Sequence, residues 1–480
     1  MLYLIKPAVR LDIKIIIVPI PINIIVLPII FPRAASGSGL NVTVKVVWIL
    51  IVHRHELAII KSKPRIRLFV AEGELIVTFM LSLSLLLVII SAVRRYTRNF
   101  IIPGVTILMF LGAILAAAPI IGFEVDEFYN FIEGLPEIIL LVIIPILIFE
   151  SGRKLKIGQI KKEAIPIGFF AIIGVILTII IIGFAVNGVF QIPFIDALLF
   201  GAILAATDPV AVGVIFKKFP IPHKLNIIIE GESLFNDATG VISFNVIRGI
   251  IFSGVAFSLL DASISFIWSM VGAIALGTAI GWVGGKVLDK WKADEYVDFT
   301  FSLGLAISGY IVADHFLHVS GVVTTLFTAL LLIIKHKEIS TGVRKLFHKY
   351  WDYLGFVTNS ILFFLIGIPL LAVGKAESIG FPLILIIVAP FAIMMMSRAV
   401  VVYGGSTFLR IFRVKIPVKW QNVLTLGGIR GGMTVALVLS LSAEYEFKNL
   451  FISLIIPLIA INLLVNPILL NQYLKKSKIT

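Results

Sequence analysis

The sequence contains no cysteine, which excludes disulfide bonds, thiolate metal sites and thiol nucleophiles together. Charged residues make up only 14% of the chain, against about 25% in an ordinary soluble domain. It also lacks a phosphate-cradling GxxxxGK(S/T) loop. Apolar residues instead reach 59%, and the mean hydropathy is +1.09. A water-facing fold has no place for this much apolar surface, so lipid must be the solvent of most of the chain.

Long apolar segments recur from residue 72 onward, and each is near the ~20 residues with which a helix crosses the hydrocarbon core. They predict an all-α polytopic membrane protein with about 13 transmembrane helices. The predicted spans are 72–93, 103–121, 135–151, 164–188, 194–217, 225–257, 263–287, 296–316, 320–335, 352–373, 380–403, 420–443 and 447–471.

Basic residues alternate between the loops in a way that predicts the orientation. Every second connecting segment is rich in Lys and Arg, and these segments hold 26 of the 41 basic residues. Because cytoplasmic loops carry the Lys and Arg excess, the first span is predicted to begin outside. The short tail 475–480 is then cytoplasmic, and the protein is expected in the plasma membrane as a multi-pass chain.

The first 71 residues do not follow this pattern. Prolines interrupt their first apolar stretch, Arg54 interrupts the second, and ten basic residues would lie on the wrong side of the membrane. We interpret 1–71 as an N-terminal extension for which the sequence predicts no structure. It is a targeting segment, an extra pair of weak spans, or sequence upstream of the true start, and the last is favoured.

Two carboxyls are predicted to lie deep in the membrane, where an ionisable group marks function by default. In the fifth span, Asp208 lies nine residues from Lys217, or about 13 Å along a helix. In the sixth span, Asp237 lies thirteen residues from Lys224, or about 20 Å. Both side chains are therefore predicted near the middle of the bilayer.

Two spans carry sequences that break a helix. Pro209 follows Asp208 directly, so the helix should open at Thr207 and expose carbonyl, hydroxyl and carboxylate oxygens that suit a small alkali cation. In the twelfth span, the glycine-rich run 427–432 is a second place where a membrane helix can unwind.

The broken spans are seven apart and so cross the membrane in opposite directions, which is typical of inverted-repeat transporters. We therefore predict a transmembrane domain over 72–474. Within it, two six-helix repeats cover about 72–257 and 296–471, and 263–287 is a linker helix.

The sixth span presents polar side chains at helical spacing. Ser233 and Asp237 are four residues apart and share one face, while Glu232 and Asn236 share an adjacent face. One face can therefore bind an ion while the other braces the helix. Arg430 is always charged and needs a carboxylate partner inside the membrane, and we predict a structural ion pair with Glu232.

Three motifs together resemble a known family. They are ATDP at 206–209, EGESLFNDATG at 230–240 and GGIRGG at 427–432. With these motifs at the corresponding spans, the chain resembles the monovalent cation-proton antiporters of the NhaP and sodium-proton exchanger type over roughly 72–474. The resemblance implies a secondary transporter rather than an enzyme, with no resident cofactor and with Na⁺ and H⁺ as the transported ions.

The resemblance also assigns the ion site. It implies that Asp237 carries the cation or proton, and that Asp208, Thr207 and Ser233 are further ligands, the two aspartates binding sodium. Asn236 stands where electrogenic relatives have an aspartate, which implies electroneutral exchange of one proton per cation.

Further roles follow from the same resemblance. It implies that Glu232 and Arg430 form the structural pair, that Glu150 lies at the ion entrance, and that the protein is a homodimer in the lipid bilayer without a nucleic-acid partner. The basic loop beside Glu150 is equally consistent with an interfacial ion pair. Arg398 in the eleventh span is predicted to snorkel or brace toward a membrane face.

Two other functions compete with exchange. Two membrane aspartates could share a proton in an intramembrane aspartyl protease, but a GxGD-type pattern is missing. A passive cation channel is the nearer alternative. Counterflow driven by a pH gradient distinguishes exchange from conduction, and peptide cleavage reveals a protease.

Overall fold

The computed structural model describes residues 64–97, 103–116, 138–155, 157–216, 218–253, 258–291, 294–336, 341–368, 383–442 and 444–477. Every regular element in these ranges is helical, which confirms the all-α prediction. The helices are α1 (Pro64–Thr97), α2 (Gly104–Ala116), α3 (Ile139–Gly152), α4 (Ile157–Lys162), α5 (Ala164–Phe190), α6 (Phe194–Ala205), α7 (Pro209–Phe216), α8 (His223–Ser253), α9 (Leu259–Trp291), α10 (Glu295–Phe316), α11 (Gly321–Lys335), α12 (Thr341–Gly367), α13 (Leu383–Phe408), α14 (Val418–Leu426), α15 (Gly432–Leu439) and α16 (Lys448–Ser477).

The chain divides into two compact units, Met1–Leu81 and Ser82–Thr480. In the first unit the described residues are the N-terminal part of α1, and most of the predicted extension 1–71 lies outside the described residues. The second unit contains α2 to α16 and the predicted ion site.

Among the described residues, five helices are long and apolar enough to cross a membrane: α5, α9, α10, α16 and the segment Val388–Phe412. Shorter apolar helices include α2, α3, α6 and α11. Several boundaries differ from their predictions. The largest difference is at α12, which begins at Thr341 rather than at 352, and α1 begins at Pro64 rather than at 72. The apolar pattern misses the extension of α12 because the added turns are polar and basic.

The fifth and twelfth predicted spans are each broken in the middle. An extended stretch over 206–208 separates α6 from α7, with Ala206 at φ −66° and ψ 141°. Residues 427–431 likewise separate α14 from α15. Both breaks lie where Pro209 and the glycine run predict them, because proline and glycine disfavour continuous helix.

Helices α9 and α11 pack with their backbones in close approach. A Cβ added at Gly277 of α9 would lie 2.3 Å from the Thr324 carbonyl oxygen of α11, so only glycine fits there. Threonine hydroxyls of α11 reinforce this contact, since Thr328 Oγ1 donates to the Gly277 carbonyl at 3.3 Å. Along the most apolar 18 residues of α9 only 6% of the residues are buried inside the protein. The rest of this stretch forms an apolar outer face for lipid.

Candidate ion-binding site at the helix crossing

The two broken helices meet at their unwound segments. The Asp208 backbone N–H donates a hydrogen bond of 2.7 Å to the Ile429 carbonyl. A broken membrane helix leaves backbone groups that water does not reach, and each needs a partner inside the protein. Each unwound segment thus supplies a hydrogen-bond partner to the other, which joins the two breaks in one crossing.

The Arg430 guanidinium caps the end of α6. Its Nη1 donates to the Ala205 carbonyl at 3.0 Å and to the Ala206 carbonyl at 2.9 Å, and the residue is 1% exposed. The last carbonyls of a helix have no partner within the helix and carry its negative partial charge. The Arg430 guanidinium at this end donates hydrogen bonds to the free carbonyls and balances their negative partial charge.

Gly431 leaves space for the Asp208 side chain. A Cβ at this position would lie 2.2 Å from Asp208 Oδ2 and 2.4 Å from its Cβ. Any larger residue at 431 would push the carboxylate away from the crossing. The glycine run therefore serves two purposes, because it permits unwinding and also admits the acidic side chain.

Thr207 is held by two side chains of α8. The Asn236 amide donates from Nδ2 to Thr207 Oγ1 at 2.6 Å, and its Oδ1 accepts from the Thr207 N–H at 3.4 Å. Thr207 Oγ1 also donates to Ser233 Oγ at 3.3 Å, and Ser233 Oγ donates to the Thr207 carbonyl. These contacts bring together three of the predicted site residues and align α8 against the extended segment.

Asp237 lies one residue beyond Asn236 on α8 and faces the crossing. Its Oδ1 is buried and has no hydrogen-bond partner within the described part of the chain. Asp208 and Arg430 are the charged groups that act on this carboxyl. A buried carboxyl oxygen without a partner is energetically costly, and a bound proton or a small cation satisfies it.

The predicted Glu232–Arg430 ion pair is wrong. Glu232 pairs instead with Arg398 of α13, with Arg398 Nη2 3.1 Å from Glu232 Oε2 and a second contact between Nη1 and Oε1. Both side chains are buried. Arg430 has other partners because it lies on the unwound segment, next to the free carbonyls at the end of α6.

Arg398 therefore braces the site from inside the protein rather than snorkelling to a membrane face. Its Nε and Nη2 donate to the Leu424 carbonyl at 3.2 and 3.0 Å, near the end of α14. Gly428 makes room for this approach, since a Cβ there would lie 3.0 Å from Arg398 Nε and the guanidinium would have to shift by a few tenths of an ångström. The guanidinium thus joins α8, α13 and α14.

Glu150 lies at the end of α3 in a network of charges. Its carboxylate is 3.6 Å from Arg153 Nη2 and also contacts Lys154 Nζ. Lys154 in turn lines a cavity of about 160 Å³ with His223, among other residues. This arrangement matches the interfacial ion-pair alternative, and the role of Glu150 at an ion entrance stays a prediction.

His348 of α12 joins the same network. Arg153 Nη1 lies 2.7 Å from His348 Nδ1, and Arg153 Nη2 lies 2.5 Å from Asp352 Oδ1. Since arginine only donates, His348 Nδ1 must accept this hydrogen bond. Burial and the neighbouring Arg153 charge lower the pKa of His348 below its ordinary value of 6.5.

Two asparagines of α16 reach the crossing, and sequence analysis did not single them out. The Arg430 N–H donates to Asn462 Oδ1 at 2.6 Å, and Asn466 Nδ2 donates to the Leu426 carbonyl at 3.2 Å. Both asparagines are fully buried. Two buried amides at a four-residue spacing in an otherwise apolar helix are the signal that could have revealed them.

Comparison with known proteins gives a consistent result. Residues 82–476 match the family model described as sodium/hydrogen exchanger, transmembrane. The chain is 30% identical over 400 residues to the Na⁺/H⁺ antiporter ApNhaP of Aphanothece halophytica, covering 82% of this chain and 73% of that protein. It is also 30% identical over 373 residues to the Na⁺/H⁺ antiporter NhaP of Pseudomonas aeruginosa, covering 75% and 85%.

The fold is also similar to a solved structure. The sodium proton antiporter MjNhaP1 of Methanocaldococcus jannaschii, determined at pH 8, aligns with a TM-score of 0.71. The alignment has 21% sequence identity and covers 84% of this chain and 99% of that one. At this identity the likeness concerns the fold.

Proposed function

Because the chain belongs to the sodium/hydrogen exchanger family, we propose that it exchanges Na⁺ for H⁺ across the plasma membrane. The observation that carries the proposal is the buried Asp237 oxygen at the crossing, which lacks a hydrogen-bond partner among the described residues. No relative named above is a channel or a protease.

Asp237 would hold either a proton or a cation, and the two compete for one carboxyl. Asp208 supplies a second carboxylate at the crossing, and Thr207 and Ser233 supply neutral oxygens. Hard oxygen donors suit an alkali cation. If only the occupied site changes its access from one side to the other, each ion moves alone and the two gradients are coupled without ATP.

The exchange is proposed to be electroneutral, with one proton for each cation. The position before Asp237 is Asn236, whose amide is engaged with Thr207 through both its oxygen and its nitrogen. A neutral amide carries no proton through the cycle. Asp237 is then the group whose occupant is exchanged, while Asn236 keeps the extended segment in position.

The proposal includes the finer architecture expected from the sequence. The chain would have 13 spans, inverted repeats over about 72–257 and 296–471, and a cytoplasmic C-terminus. Two copies of the chain would form a homodimer. The contact between Asp208 and Ile429 supports the repeats, since each broken helix belongs to one of them. The basic loops support the orientation.

Reconstitution tests the function directly. The purified chain is placed in vesicles with an acidic lumen that contains a pH-sensitive dye, and Na⁺, Li⁺ or K⁺ is added outside the vesicles, with and without a clamped membrane potential. We expect Na⁺ to drive proton efflux at a rate that the clamp leaves unchanged. Flux that follows the potential without a pH gradient would instead identify a channel.

A further inference from the structure

Helix α16 carries two buried amides that each use only half of their hydrogen-bonding capacity. Asn462 accepts from the Arg430 N–H through Oδ1, and its Nδ2 has no partner within the described ranges. Asn466 donates from Nδ2 to the Leu426 carbonyl and, at 3.6 Å, to Met395 Sδ, and its Oδ1 has no partner there. Polar groups that lack partners are unfavourable in a buried helix, so the bonds that do form point to a specific role.

The two bonds hold opposite ends of one unwound segment. Leu426 is the last residue of α14, and Arg430 lies two residues before the start of α15. Asn466 therefore satisfies a carbonyl at the end of one half-helix, and Asn462 satisfies an N–H near the start of the next. The four-residue spacing on α16 places both amides on the same face.

The 427–431 segment sets the position of the Arg430 guanidinium beside the ion site. Arg430 Nη1 donates to the Ala205 and Ala206 carbonyls, and within the described ranges Arg430 and Asp208 are the charged groups that act on Asp237. A guanidinium released from those carbonyls would have the two site carboxylates as its best remaining partners. The guanidinium would then pair with the carboxylates that a transported cation needs as ligands.

We infer that Asn462 and Asn466 are positioning residues for the cation site, which hold the backbone of the 427–431 segment so that Arg430 stays on the end of α6. This inference rests on the proposed function for its transport readout, but its structural readout does not. Neither asparagine needs to touch the transported ion, since both act through the backbone.

Asn462 forms its hydrogen bond through the amide oxygen and Asn466 through the amide nitrogen, so one substitution at both positions gives a matched pair of variants. Asn462→Asp keeps the oxygen that accepts from Arg430, whereas Asn466→Asp replaces the nitrogen that donates to Leu426. Both substitutions introduce the same chemical group into the same helix. Asn462→Leu removes both halves of the amide at nearly constant volume.

Thr106→Val is the control for general damage to α16. Thr106 Oγ1 donates at 3.3 Å to the Leu463 carbonyl, which Pro467 leaves without its helical partner. This bond adjoins Asn462 in sequence but does not involve the unwound segment. Thr106→Val should lower the unfolding temperature while leaving the apparent sodium KM unchanged.

The experiment measures hydrogen–deuterium exchange over 427–432 and the apparent KM for Na⁺ in vesicles. We expect faster exchange and a KM raised about tenfold in Asn462→Leu and Asn466→Asp, the factor that corresponds to one lost buried hydrogen bond. Asn462→Asp should do less damage than Asn466→Asp in both measurements, because the two variants carry the same buried carboxyl group but only Asn462→Asp keeps the oxygen that accepts from Arg430.

The outcomes separate the inference from the proposed function. Equal exchange in Asn462→Leu and the parent chain, or equal damage from Thr106→Val, would overturn the positioning role. Altered exchange over 427–432 with an unchanged sodium KM would overturn it as well. A parent chain without sodium-driven flux would refute the proposed function, and the exchange measurement would still decide whether the asparagines hold the segment.

Discussion

Gly431 lies directly against the Asp208 carboxylate, so that the missing side chain of one residue leaves the space for the other. A methyl group at 431 would lie 2.2 Å from Asp208 Oδ2, well inside van der Waals contact. The unwound segment of one broken helix thereby shapes the space available to the acidic residue of the other. The position of the Asp208 carboxylate therefore depends on a residue of the second broken helix.

Replacement of Gly431 by alanine should displace Asp208 and impair transport. We expect Gly431→Ala to lower the sodium-driven proton flux at least about tenfold, because the added atom overlaps the carboxylate. Gly188→Ala is the matched control, since a Cβ there has nothing within 4 Å and alanine favours helix. Normal flux in Gly431→Ala would contradict the close contact.

The Glu232–Arg398 pair should dominate local stability. Arg398→Leu leaves a buried carboxylate without its partner, at a cost of about 3–5 kcal/mol, measured as a lower free energy of unfolding in detergent. Adding Glu232→Gln should recover part of that loss. A double-mutant cycle that combines Glu232→Gln with Arg430→Leu should show a much weaker coupling energy between these two positions. Stronger coupling to Arg430 would restore the pairing that the sequence suggested.

The Thr207 hydroxyl should matter for cation affinity. Thr207→Val keeps the shape of the side chain but removes the oxygen that bonds Ser233 and Asn236. The apparent KM for Na⁺ should rise about tenfold, while Thr207→Ser should stay within about threefold. Equal KM values for the valine and serine variants would show that the hydroxyl is not part of the site.

His348 should make the protein less stable in acid. Its lowered pKa means that, as the pH falls through about 6.5, the unfolded chain takes up a proton that the folded chain does not. Folding stability from this residue is therefore present above that pH and lost below it. His348→Asn keeps an acceptor for Arg153 but does not titrate, so its unfolding temperature should fall less between about pH 7 and pH 5. Equal losses would contradict this.

The break in α6–α7 and the positions of the candidate site residues along the chain could be predicted from the sequence because their signals are local. Asp208 and Asp237 stand at mid-span distances from basic loops, and Pro209 breaks its own helix wherever that helix packs. Ser233 and Asn236 follow from helical spacing on α8. These features depend on neighbours in sequence. Helical spacing placed Ser233 and Asn236 on adjacent faces of α8, and in the structure both contact Thr207.

The partner of Glu232 could not be predicted because it depends on packing between distant helices. Arg398 and Arg430 both lie in membrane spans, and nothing local says which one reaches α8. The structure separates them, because α13 brings Arg398 to Glu232 while the unwound segment gives Arg430 free carbonyls at the end of α6. Asn462 and Asn466 were missed for the same reason, since their partners are backbone groups of α14 and the 427–431 segment.

Calorimetric titration of the purified chain with Na⁺ tests the central claim most directly, namely that one proton and one cation compete for Asp237. Repeating the titration in buffers of different ionisation enthalpy counts the protons released. In acid, we expect release to approach one proton per bound Na⁺ in the parent chain, with no such release in Asp237→Asn. Sodium binding without proton release at any pH would contradict the account.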